Sequence, residues 1–102
     1  MEKKDFAVDT RYVLTLSDPE GGRLRPANVY VYRLYDDYMI ARMTDREGSL
    51  RKIPYDQVVR IVRTIPVPPE RRFMVPAALL DERIWKERSS LTMYSSSPAL
   101  GK

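Results

Sequence analysis

Seven consecutive residues, VYVYRLY at positions 29–35, form a strand pattern that is apolar on both sides. β-branched and aromatic side chains favour a pleated, half-buried backbone. Alternation places Val29, Val31, Arg33 and Tyr35 on one side and Tyr30, Tyr32 and Leu34 on the other. Such a strand is either covered on both sides or carries an aromatic surface.

The segments around it repeat the theme. RYVLTLS (11–17), YMIARMT (38–44), LRKIP (50–54) and VVRIVRTI (58–65) all read as strands. DPEGG (18–22) and DREGS (45–49) are turn clusters, with Gly48 expected at positive φ. RLRPAN (23–28) suits an edge, because Pro26 has no N–H to give to a central ladder. Asp36-Asp37 reads as a hairpin turn and YDQ (55–57) as one tight turn. Five short strands at close spacing, with no helix to carry a parallel crossover, predict a mainly β fold. The expected form is a small five-stranded antiparallel SH3-like barrel.

The chain divides accordingly. Residues 1–10 are polar and expected to be flexible, and residues 11–65 form the barrel. Residues 66–75, beginning PVPPE, are a stiff proline-rich connector. Residues 76–88 predict one helix, with Pro76 in its first turn and Glu82 and Lys86 as an i,i+4 pair. Residues 89–102 are Ser-rich, aperiodic and expected to be disordered.

Chemistry is narrowed by what is missing. With no Cys and no His, thiolate and imidazole nucleophiles, and the usual zinc ligands, are unavailable. Asp36-Asp37 and Asp81-Glu82 are the closest carboxylate pairs, but each is a pair of adjacent residues and makes no acid–base constellation. The expectation is a non-enzymatic protein with no cofactor and no metal. No run approaches the roughly 18 apolar residues of a membrane span, and MEKKDFAVDT lacks the core of a signal peptide, so a cytoplasmic location is expected.

Charge is unevenly placed. Residues 1–50 hold 8 Lys/Arg against 9 Asp/Glu, whereas residues 51–102 hold 10 against 5. Arginines outnumber lysines 13 to 5, which suits bidentate contacts to phosphate or carboxylate. A basic second half fits nucleic acid or an acidic protein partner.

LYDDYMIARM (34–43) resembles the first motif of the Sm-like family, and KIPYDQVVRI (52–61) resembles its second. The order of strands and turns over about residues 11–65 is similar too. The resemblance implies a small barrel with the Sm strand order. It does not carry the family's uridine pocket: Ile40 stands where the family places Asn, and Pro54-Tyr55 where it places Arg-Gly. Asp56-Gln57 follow the tyrosine where the Hfq branch has a basic residue and His.

Three surfaces are candidates. Tyr30, Tyr32 and Tyr55, with Arg33 and Arg42, could stack and grip single-stranded nucleic acid, or the tyrosines could simply be half-buried strand residues. Arg71 and Arg72 on the connector could grip phosphate or an acidic partner. Leu80, Ile84 and Trp85 could plug the barrel, or reach a protein partner or a second copy of the chain. Strict alternation sends Arg60 and Arg63 to opposite faces of the last strand, so they make no common patch.

Overall fold

A computed structural model describes residues 1–18, 21–44, 48–86 and 90–91. Its strands are β1 (Thr10–Ser17), β2 (Leu24–Leu34), β3 (Tyr38–Met43), β4 (Leu50–Pro54), β5 (Val58–Pro66) and β6 (Ser90–Leu91). They make one antiparallel sheet in the order β5-β1-β2-β3-β4-β6.

The five expected strands are therefore present in a mainly β fold, but the sheet does not close into a barrel. β5 and β6 are its two edges. The side of β4 that closure would need is occupied at Leu50 and Arg51 by β6, drawn from the segment expected to be disordered. The rest of that tail lies outside the described residues.

The first half of β2 pairs only with β1, because β3 joins the ladder from Val29 onward. Pro26 sits in that one-sided half, where its missing donor costs no ladder bond. Asp36-Asp37 turn β2 into β3, with the Tyr35 N–H donating to the Tyr38 carbonyl at 2.8 Å. Gly48 has φ +78°, the left-handed value the turn requires.

Each face of the sheet carries its own apolar cluster. The inner one gathers Leu14, Leu16, Val29, Val31, Met39, Ala41, Ile53 and Val58, and is closed by Phe6, Tyr12 and Tyr55. Phe6 belongs to the first ten residues, expected to be flexible. Its ring meets Tyr12 edge-on at 5.1 Å and stacks on Tyr55 at 5.8 Å. The outer cluster gathers Tyr30, Tyr32, Ile40 and Leu50 from the sheet with Leu80 and Trp85 from the C-terminal arm.

That arm is not the expected helix over 76–88. It is extended backbone with two short 3-10 turns, Ala77–Leu80 and Glu82–Trp85. The break is at Asp81, whose backbone is extended at φ −64°, ψ 127°. Its carboxylate accepts from the Arg83 N–H at 2.9 Å and from the Arg83 guanidinium at 2.9 Å. A side chain that captures a nearby backbone donor competes directly with helix formation. Residues 87 and 88 of the expected helix lie outside the described residues.

Candidate nucleic-acid interface

The tyrosines of the expected stacking surface are inside the molecule. Tyr30 is fully buried, and its hydroxyl donates to the Asp9 carboxylate at 2.6 Å. Tyr32 packs edge-on against it at 5.2 Å. Burial, then the Asp9 charge, holds the Tyr30 hydroxyl well above the ordinary tyrosine range. Tyr55 lies in the inner cluster and donates to the Tyr35 carbonyl at 2.6 Å. Burial first, then the charge of Asp36, pushes its pKa up to about 12. Arg42 is buried as well, its guanidinium 4.2 Å from the centre of the Phe73 ring. None of these four offers an open face to a base.

Phe6 covers Tyr55 on the inner face, while Phe73 and the arm cover Tyr30, Tyr32 and Arg42 on the outer one. Trp85 is fully buried and Leu80 nearly so, with Ile84 half-buried against the same cluster. All three pack on the chain's own sheet. The Trp85 indole N–H donates to the Leu79 carbonyl at 2.8 Å, the Lys52 ammonium donates to the Trp85 carbonyl at 2.7 Å, and the Tyr35 hydroxyl donates to the Leu80 carbonyl. The outer cluster draws its sheet residues from β2, β3, the β2–β3 turn and β4, and none from β1 or β5. The arm thus covers only part of the outer face.

On the remaining part the structure brings together arginines that alternation sends apart. Along β5 the ladder to β1 pairs Val58 with Leu16, Arg60 with Thr15, Ile61 with Leu14 and Arg63 with Val13. Val59 and Val62 are skipped. Each bulge inserts one residue and reverses the side on which later residues emerge. β5 therefore runs in threes. Val58 and Ile61 face the inner cluster, Val59 and Val62 are exposed without a β1 partner, and Arg60 and Arg63 share the outer face.

Arg11 belongs to the same face, since its β2 partner is Tyr30 of the outer cluster. Thr15, Pro26, Val13, Asn28 and Ile65 fill the ladder positions around these arginines, and none is a carboxylate. Among the described residues, Arg11, Arg60 and Arg63 take no ion-pair partner. The connector returns beside this face. Its Arg72 lies 3.8 Å from Asp9, one residue before β1, and Arg71 is exposed next to it.

Arg33 is exposed but sits at the opposite end of β2, past a bulge between Val31 and Arg33. That bulge also moves Leu34 to the inner cluster and Tyr35 to the outer one, the reverse of the alternation expected for VYVYRLY. Arg60 and Arg63 are the residues that strand alternation misplaces, and Arg11 becomes visible only once β5 is paired with β1. The signal that could have found the β5 pair is the doubled triplet VVR-IVR, whose period of three does not fit a plain strand.

Elsewhere, an open concavity of about 810 Å³ lies between the N-terminal turn and the β2–β3 turn, lined by Glu2, Lys3, Asp36, Asp37, Tyr55 and Asp56 among others. Its rim mixes four carboxylates with Lys3 and Lys4, and Lys3 is already paired with Asp36 at 3.6 Å, so it offers no dominant charge to a ligand. No group of three or more metal-ligating side chains converges among the described residues, and no described helix is long and apolar enough to cross a membrane. Comparison with protein-family models, with curated proteins and with solved structures returns no match.

Proposed function

We propose that this chain is a non-enzymatic binding module that takes single-stranded nucleic acid on the outer face of β5 and β1. The observation that carries the reading is the convergence of Arg60, Arg63 and Arg11 on one face with no carboxylate at the intervening ladder positions. Guanidinium groups left without an internal partner are poised to bind phosphate through paired hydrogen bonds. The hydroxyl of Thr15 stands beside Arg60, its ladder partner, and can add a phosphate contact. Arg71 extends the basic surface at the connector. The tyrosines have no direct part in this reading; they build the sheet on which the arginines stand.

The test is fluorescence anisotropy of a labelled single-stranded RNA at low and at physiological salt. Binding should weaken steeply as salt rises, because neutralised phosphates release counterions. Arg60→Ala with Arg63→Ala should remove most of the affinity while leaving the fold intact, since both side chains are exposed. Unchanged affinity in that double variant would sink the proposed site.

One observation favours a second reading, a protein-interaction module. β5 is an edge strand, and Val59 and Val62 on it are 49% and 53% exposed. A partner strand could add there. Two bulges and two arginines are, however, the features that blunt an edge against such pairing. Failure to bind RNA even at low salt would turn the search to a protein partner.

A further inference from the structure

We infer that the nucleic acid is held by its phosphates alone, with the bases turned away from the protein, so that binding is neutral to sequence. This rests on the proposed reading of the β5–β1 face and specifies what that face recognises. Proteins hold single strands by two devices, a basic track for the backbone and aromatic rings on which bases stack. Here the second device is consumed by the fold. Every aromatic side chain among the described residues is engaged by one of the two clusters: Phe6, Tyr12 and Tyr55 are buried inside and Tyr30, Tyr32 and Trp85 outside, with Tyr35, Tyr38 and Phe73 packed half-buried against the outer one. The large apolar side chains left exposed are Met1, Val8, Leu24, Val59, Val62 and Met74, none with a ring.

The amide and imidazole side chains that read base edges, arginine apart, are scarce as well. The chain has one Asn, one Gln and no His. Gln57 lies in the turn before β5, and only Asn28 stands at a ladder position of the basic face. What the face does offer is charge at a regular interval. Arg60 and Arg63 pair with β1 residues two apart, about 7 Å along the strand. A flexible single strand can bring successive phosphates to such a row, whereas sequence readout would have to rest on Asn28 or on the arginines themselves.

The experiment measures affinity and salt dependence for oligo(U), oligo(A), oligo(C) and oligo(G) RNA of equal length, with inorganic polyphosphate as competitor. Affinities within about threefold of one another are expected, because no base is read. Three phosphate contacts should give a log–log salt slope near −2, at about −0.7 per contact, and Arg60→Ala with Arg63→Ala should bring it to about −0.7. Polyphosphate should displace the RNA. A homopolymer preferred by more than about tenfold would overturn the inference, since a good base contact gives discrimination of that size. Oligo(G) is the sharpest member, because guanine is the base that arginine reads. Failure of polyphosphate to compete would overturn it too. Absence of binding to every oligomer at low salt is a different result and removes the underlying reading.

Discussion

The inner and outer clusters share β2, β3 and β4 but are built by different means. Val29 and Val31 enter the inner cluster while Tyr30 and Tyr32, alternating with them, enter the outer one. Around the valines the inner cluster is largely aliphatic and is assembled mostly by the strands themselves. The outer cluster is aromatic, tolerates a buried Arg42, and is completed by residues 67–85 from the far end of the chain. One is secured by alternation within hairpins. The other waits for an arm held by a few anchors.

The largest test strains both at once. Tyr12, Tyr30 and Tyr55 all have folded-state pKa values raised above the ordinary 10.0, with burial as the leading cause. The folded form therefore holds protons that the unfolded form releases. Stability should be full below about pH 10 and should fall as pH rises past it, with global unfolding in the alkaline range. The bonding separates the two faces. The Tyr12 oxygen accepts from the Ala7 N–H at 2.7 Å, a bond that survives ionisation. The Tyr30 hydroxyl donates to a carboxylate and would meet it as a second anion. Phenolate absorbance should therefore show Tyr30 titrating last, and a Tyr30→Phe variant should lose that step. Stability unchanged between pH 10 and 12 would contradict the burial argument.

Next in size is Trp85→Ala. It empties the centre of the outer cluster and should cost about 3–5 kcal/mol in urea unfolding. The informative comparison is with Leu14→Ala in the inner cluster, at about 2–5 kcal/mol. Loss of Trp85 should speed amide exchange in the arm, at Leu79 and Ile84, while β1–β2 amides keep their protection. Loss of Leu14 should loosen the whole sheet. Equal patterns in the two variants would erase the distinction between the faces.

That asymmetry also explains what could be read in advance. The strands were legible because each is a local run of β-branched and aromatic residues bounded by Gly, Pro or Asp, as around VYVYRLY and RYVLTLS. Bulges were not, because register depends on the partner strand. One inserted residue at Tyr32 moves Leu34 inward, one at Val59 turns Arg60 outward, and one at Val62 brings Arg63 to the same face. The arm reads as a helix in sequence because Leu80 and Ile84 have helical spacing, with Trp85 beside them. What sets their conformation is the Asp81–Arg83 capture together with a sheet face that only the tertiary fold supplies. The closed barrel failed for the same kind of reason, since β4 takes Ser90–Leu91 as its neighbour.

A smaller effect is expected at Arg42. Replacing it with Met keeps most of the apolar stem against Phe73 and removes the charge. The change should cost about 1–2 kcal/mol, the range for a desolvated cation over a ring. A gain in stability would mean that the buried charge is a net burden on the outer cluster.

The smallest effect belongs to Asp81, and it isolates the hinge of the arm. The Arg83 side chain and backbone N–H hold the Asp81 carboxyl down at about 2. Because that value lies below the ordinary 3.8, the capture is complete above about pH 4 and is lost as pH falls toward 2. The side chains are solvent-facing, so global stability should barely respond to Asp81→Ala. The response should be local. With the carboxylate gone the Arg83 and Ile84 amides should exchange faster, and wild-type protein at low pH should show the same change at the same amides. If Asp81→Ala instead lengthens the arm into a continuous helix, seen as added helical circular dichroism, then Asp81 alone was suppressing the helix that residues 76–88 predict. If no helix appears, the outer face of the sheet is what holds Leu80 and Trp85 in their separate turns.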